Sequence, residues 1–487
     1  MRSSKIILLS SLLFVQWSAQ AQNVLDAGKY GQVGSYGTAR SIGFGNTLGS
    51  VGGDYSSANV NPAGLGMYRS SEYMFSPGLR FSGSSSNYTG ISSSDNNVRF
   101  GFNNMGVVFT SVQSGRRYDK AEWKSVTFGI GINHIADFSR TYNYKGYNNK
   151  NSGSQYFEAD ALNYGVNDIG SAAYLGYQSY LLDNSYHSLV PYAKGLDQFK
   201  SVQEKGGINE LAFSLAGNYK EKLLLGATVG IPILNHIVNT SFGEQTHDPA
   251  ASDSFDHFKY DEYYKTTGSG VNLKLGAIYK FNDYFRAGIA FHTPSFYTLT
   301  ETSNSNISTT SKVFGTNSIP TANNQYQYRL MTPFKAIASI TGILGKYGFI
   351  SADYEYVNYS SMRYTLNAND KAYENTINSS IRNLYGSASN LRVGTEIRLE
   401  DFRIRAGYGF YGSPFKNADY QSTRNDISFG IGYRFQNSFI DLGIIHSHYS
   451  TQEQPYVLDG SMGYTQPSVA TITNNLTSGV CTVGWKF

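Results

Sequence analysis

The sequence predicts an all-β chain, a 14-stranded antiparallel transmembrane β-barrel closed from within by an N-terminal plug. Three observations carry this. From Tyr73 onward, segments of about ten residues recur in which one parity is apolar or aromatic and the other small, polar or charged. The connections between them alternate between short and long. Composition agrees, with 40 Tyr, 51 Gly, only 11 Pro, and 15% charged residues, well under the roughly 25% usual in soluble domains.

A length of 487 residues suits two or three ordinary domains, but closed barrels run long as one unit. The net charge of +4 is mild and scattered. No Lys/Arg-rich face or nucleic-acid motif accompanies it, so no nucleic-acid partner is expected, and lipid A phosphates would suit it equally well. At the N-terminus, Arg2 and Lys5 precede an apolar run from Ile6 to Val15 and the small-x-small site Ala19-Gln20-Ala21. That is the layout of a secretory signal peptide. No later stretch approaches the roughly 20 apolar residues of a membrane helix. The expected division is therefore signal peptide 1–21, plug 22–72 and barrel 73–487. Cys481 is the single cysteine, which leaves no intrachain disulfide.

The plug is read from 31–69, rich in Gly and Ser and lacking period-2 alternation. Strands are expected near 73–82, 99–111, 125–140, 207–219, 222–234, 267–281, 284–299, 326–341, 347–359, 389–399, 402–411, 424–435, 438–449 and 473–487. The clearest is 427–435, with Ile427, Phe429, Ile431, Tyr433 and Phe435 on one parity. Short connections fall at 113–124, 219–222, 282–283, 342–346, 400–401 and 436–437. Long ones fall at 83–98, 141–206, 243–266, 300–325, 360–388, 412–423 and 450–472. Short periplasmic turns facing long outer loops are the mark of an outer-membrane barrel, and they place both chain ends in the periplasm. The last strand ends with Cys481, Val483, Trp485 and Phe487 on one lipid-side face. Within the longest loop, 158–182 is expected to form short helices over the barrel mouth, and 368–385 a further helix.

Catalytic and metal chemistry find little footing. None of the eight histidines lies in a zinc-binding pattern. His446 and His448 share a strand face near a loop, where solvation is the plainer reading than a metal or haem iron. No Gly-x-Ser-x-Gly elbow is present. No catalytic residue, metal site or cofactor is expected. The charges carry more information. Asp353, Glu355, Arg392, Glu396, Arg398, Arg403, Arg405, Arg434 and Asp441 all fall on the predicted inward parity of the wall. Buried charges of both signs must be paired or hydrated, so they read as a structural ion-pair network that anchors the plug.

At 37–45, Gly37-Thr38-Ala39-Arg40-Ser41-Ile42-Gly43-Phe44-Gly45, followed by Asn61-Pro62-Ala63-Gly64-Leu65, the chain resembles the FadL/TodX family of outer-membrane transporters, with their N-terminal hatch. The stretches 333–336, 350–356 and 405–414 are similar to members from Bacteroidetes-type bacteria. The resemblance implies a hatch shaped by Asn61, Pro62, Ala63 and Gly64 in a fourteen-stranded barrel. It also implies passive transport of hydrophobic small molecules, long-chain fatty acids or similar, through an apolar pocket. Exit would be sideways through a wall gap at a kinked strand, for which the third strand with Gly129 and Gly131 is the candidate. The implied setting is the Gram-negative outer membrane, with the chain as a monomer among phospholipid and lipopolysaccharide, delivered by the barrel-assembly machinery. The alternative is a binding or assembly protein, such as a type IX secretion shuttle or translocon partner. An enzyme is not expected.

Overall fold

The computed structural model describes residues 24–487 except 33, 249, 251–253 and 418–421. The expected signal peptide lies outside the described residues. Fourteen wall strands close a single barrel. They are β1 Glu72–Tyr88, β2 Ile91–Val112, β3 Trp123–Asp137 resuming as Arg140–Asn148, β4 Leu196–Tyr219, β5 Leu223–Thr246 and β6 Phe255–Lys280. Then come β7 Phe285–His292 resuming as Phe296–Ser311, and β8 as Gly315–Pro320, Asn324–Met331 and Lys335–Ile343. The wall is completed by β9 Gly348–Asn358 with Arg363–Thr365, β10 Ser387–Leu399, β11 Phe402–Tyr411, β12 Arg424–Arg434, β13 Ser438–Glu453 and β14 Ala470–Lys486. Every pairing is antiparallel, and β1 closes the barrel by pairing with both β2 and β14.

Closure removes the sheet edges that lipid would leave unsatisfied. Outward side chains such as Leu215, Ile289, Ile340, Ile350, Phe429, Leu442 and Val483 are exposed and apolar, while their neighbours in sequence point inward. An apolar belt of this kind fits hydrocarbon, so the barrel spans a membrane.

Several strands run far past it. β4, β5 and β6 have 24, 24 and 26 residues, about 80 Å at 3.3 Å per residue against about 30 Å of hydrocarbon. The long loops expected at 83–98, 243–266 and 300–325 are accordingly mostly strand. The first is a hairpin turning at Thr89 and Gly90, both at positive φ. Ser, Asn and Thr occupy both faces there, so alternation fades in water while the backbone ladder continues.

The described residues before β1 lie inside the barrel. They form α1 Val24–Gly31, α2 Ala39–Gly43, α3 Ser57–Val60 and a 3-10 turn Pro62–Met67. Below the wall, α4 Arg116–Lys120 fills the turn between β2 and β3. Above it, α5 Ser154–Tyr164 and α6 Ala172–Gln178 cap the mouth, and α7 Lys371–Leu384 folds back between β9 and β10. The cap has its own core, in which Phe157, Ala161, Leu175 and Leu182 pack on Phe242 and Phe258 of the raised strands.

Candidate functional site

The inner segment meets the wall at the Asn-Pro turn. Asn61 is fully buried. Its Oδ1 accepts from Ala63 N at 3.1 Å and caps the 3-10 turn. Its Nδ2 donates toward three carbonyls, Gly49 at 2.6 Å within the segment, Ala277 of β6 at 3.3 Å and Ile289 of β7 at 3.2 Å. One carboxamide thus ties two strands to the segment, satisfying backbone groups that would otherwise be costly to bury. Pro62 occupies the first helical position, where its missing N–H costs nothing. This close approach depends on the wall. A Cβ on Gly276 would run into Asn61 Oδ1, and one on Gly226 into the Pro62–Ala63 peptide. Neither glycine stands out in the sequence, although each sits on an inward parity facing the turn.

The charged residues form two groupings and one outlier. Arg405, with 1% relative exposure, donates to Glu396 at 2.8 Å and to Asp441 at 2.7 Å. Glu396 also takes Arg40 of α2 at 3.2 Å and Arg398 at 3.2 Å, and Asp441 takes Arg434 at 3.0 Å. A second grouping joins Asp353, Glu355 and Arg392. Asp353 accepts from the Gly49 amide at 3.1 Å and from Ser339 at 2.5 Å, and Arg392 lies 3.6 Å and 3.7 Å from the two carboxylates. Arg403 stands apart, donating to the carbonyls of Glu400 and Phe402 at the lower rim. Of the nine charges, then, Glu396 and Asp353 touch the inner segment directly.

Above that floor lies a cavity of about 1690 Å³ reaching from α1 to the cap. Tyr142, Tyr264, Tyr359, Tyr385 and Tyr411 line it together with Val24, Phe138, Val202 and Leu384. The largest apolar cluster in the molecule adjoins it, gathering Val24, Ala27 and Tyr30 of α1 against Phe138, Leu234, Leu299, Leu330, Ile381 and Tyr385. Charges are present too, but Glu204 is held by Lys29 at 2.7 Å and Arg140 at 2.7 Å. The interior is mixed, with aromatic and aliphatic walls among charged side chains, some ion-paired as Glu204 is and some, such as Glu262 and Glu301, with no ion-pair partner among the described residues.

The wall is interrupted beside this cavity. The β2–β3 ladder runs from Val112↔Ser125 to Asn104↔Asn133 and stops. A register shift follows between His134 and Ala136, and Phe138 and Ser139 leave the strand. The resumed half, Arg140–Asn148, pairs with β4, and among the described residues it has no ladder to β2. Asn143 N, donating to Asp95 Oδ2 at 2.9 Å, bridges the far side. Asn97, Arg99, Asp137 and Ser139 therefore border a gap that the cavity reaches. Val98, Phe100 and Phe102 point outward on the same stretch of β2, so the ladder interruption lies at the height of the apolar belt, where the Arg99 guanidinium stands 3.8 Å from the Asp137 carboxylate. The expected kink at Gly129 and Gly131 is corrected. Both stay in register, opposite Val108 and Gly106, and the interruption comes from the bulge beyond them.

The inner segment holds this interruption. Gly34 N donates to Ile135 O at 2.9 Å. Tyr36 lies under the Arg80 guanidinium at 4.5 Å and edge-on to His134, and burial pushes its phenol up to about 12. Arg80 in turn pairs with Asp137. Phe138 packs between Tyr30 and His236. Because a carboxylate only accepts, His236 Nε2–H donates to Glu204 at 3.3 Å, leaving Nδ1 to accept from the Tyr30 hydroxyl at 2.9 Å.

No family model and no curated protein matches this sequence. Solved structures do. The Pseudomonas aeruginosa FadL homologue aligns over 94% of this chain and 100% of its own, with a TM-score of 0.60 and 14% identity. The chain has the FadL/TodX fold. The toluene transporter TodX of P. putida covers 93% of this chain and 99% of its own at TM-score 0.56 and 13% identity. The Ralstonia pickettii toluene transporter TbuX gives the same coverage at 0.53 and 16%. This likeness of fold agrees with the closed antiparallel barrel, its apolar belt and its short-turn, long-strand asymmetry.

Proposed function

We propose that the chain passes hydrophobic small molecules through the outer membrane by diffusion, from the capped mouth into the cavity beneath and out sideways through the gap in β3. The observation that carries this reading is the meeting of cavity and wall interruption at Phe138. A greasy solute crossing this way leaves the aqueous mouth for an aromatic-lined interior and then for hydrocarbon, so its apolar surface need not return to water. In this reading residues 22–72 act as a hatch, 73–487 as the barrel, and Asn61, Pro62, Ala63 and Gly64 shape the hatch turn. The Arg40–Glu396 ion pair and the Gly49–Asp353 hydrogen bond anchor it. The neighbours named as toluene transporters and as a FadL homologue support a hydrophobic cargo. The chain acts as a monomer, set among phospholipid and lipopolysaccharide after insertion by the barrel-assembly machinery.

A second reading, a secretion or assembly partner, draws on one feature, the collar raised by β4–β6 and capped by α5 and α6. Proteoliposomes loaded by the purified chain separate the two. Uptake of radiolabelled toluene or oleate above that of empty vesicles is expected. Equal uptake in both preparations rejects transport and leaves the collar as the working surface.

A further inference from the structure

The turn joining β2 to β3 is a basic, aromatic stretch that the transport reading leaves without a task. It runs Arg116-Arg117-Tyr118-Asp119-Lys120-Ala121-Glu122-Trp123-Lys124, and no residue of α4 is buried. The neighbouring turn of β4 and β5 adds Lys220 and Lys222. The carboxylates here are largely taken internally. Glu122 binds Lys220 at 2.7 Å, and Glu221 binds Arg69 and the Tyr118 hydroxyl, each at 2.5 Å. Lys124 folds back onto the Tyr118 carbonyl and ring, which pins the helical turn. Among the described residues, Arg116, Arg117, Lys120 and Lys222 make no ion pair or side-chain hydrogen bond, and Asp119 is the one carboxylate of the turn without a cationic partner.

Depth is fixed by the aromatics. Trp123 is exposed outward and meets Tyr219 edge-on at 5.5 Å, and Lys220 Nζ sits 5.0 Å above the Tyr219 ring. Tryptophan and tyrosine settle at the membrane–water boundary, so the unpaired cations lie at headgroup level.

We infer that this patch binds the phosphates of anionic phospholipid headgroups in the periplasmic leaflet, holding the lower end of β3 at a fixed depth. Cations at a membrane surface act additively, about fivefold in binding each, so the patch discriminates net-negative from zwitterionic lipid.

The test uses the processed chain, residues 22–487, with Trp485→Phe, leaving Trp123 as its tryptophan, reconstituted in phosphatidylcholine vesicles. A minor fraction of brominated phosphatidylglycerol or brominated phosphatidylcholine serves as quencher. Quenching by the anionic lipid is expected to exceed that by the zwitterionic one severalfold, and to fall to parity in Arg116→Gln/Arg117→Gln/Lys120→Gln and in high salt. The salt arm reads the same contact without a substitution, and heat-modified gel mobility reports folding of the variant. Equal quenching in the parent overturns the inference and leaves the patch to a soluble acidic partner. Preference that survives both the triple variant and salt overturns it as well.

Discussion

Phe138 packs against the imidazole of His236, with ring centroids 4.7 Å apart, at the point where the third strand is broken. The ring fills space beside the gap, and the same imidazole is tied through Tyr30 to α1 and through Glu204 to Lys29. The inner helix and the broken strand therefore share one contact set.

Phe138→Ala is expected to enlarge the passage and raise uptake of a small aromatic solute severalfold in proteoliposomes. Removing a buried Phe side chain costs about 3–5 kcal/mol at a rigid site, so the midpoint of urea unfolding should also fall. Unchanged uptake with normal folding would place the route elsewhere.

Gly276→Ala tests the seat of the Asn61 turn. The added methyl meets Asn61 Oδ1, and overpacking of this kind costs about 1–3 kcal/mol. The expected result is lower thermal stability with raised ion conductance in planar bilayers, as the segment lifts from its seat. Asn61→Ala should give the same direction, because it removes the side chain that donates to the carbonyls of Ala277 and Ile289 on the wall.

Arg405→Ala breaks the most deeply buried ion group and leaves Glu396 and Asp441 short of a partner. Such a loss typically costs about 3–5 kcal/mol. The triple replacement Arg405→Met/Glu396→Leu/Asp441→Leu should not recover that loss, because Arg40, Arg398 and Arg434 then lose their carboxylates. Chemical denaturation of the three proteins checks the order. A triple variant more stable than Arg405→Ala would mean that the remaining arginines need no carboxylate partner.

The strands and short turns were legible because lipid and lumen impose opposite demands on alternate residues, as at 402–411 and 424–434, where expectation and structure nearly coincide. The outer halves of β1, β2 and β6 were not, since stretches such as Ser82 to Asn97 put Ser and Asn on the buried as well as the exposed face and carry no apolar alternation. The Asn61 turn was legible as a motif, but its seat was not, because Gly226 and Gly276 matter through what approaches them from 165 and 215 residues away in the chain. The break was legible as belonging to β3 but not at its true position, for a related reason. Glycines at 129 and 131 suggest flexibility locally, whereas the interruption arises at His134–Ser139, where Gly34, Tyr30 and Tyr36 supply the partners that β2 does not.

The central claim is that solutes leave through the gap between β2 and the broken β3. Its most direct test is to staple the two lips. In a Cys481→Ser background, Arg99→Cys and Asp137→Cys place thiols on the two lips, whose native guanidinium and carboxylate tips meet at 3.8 Å, and a short bis-maleimide joins them. Uptake by the same reconstituted protein is measured before and after cross-linking. The account predicts that uptake falls to the level of empty vesicles once the lips are joined, while ligand still binds in the cavity. Uptake that continues unchanged through a fully cross-linked protein contradicts it.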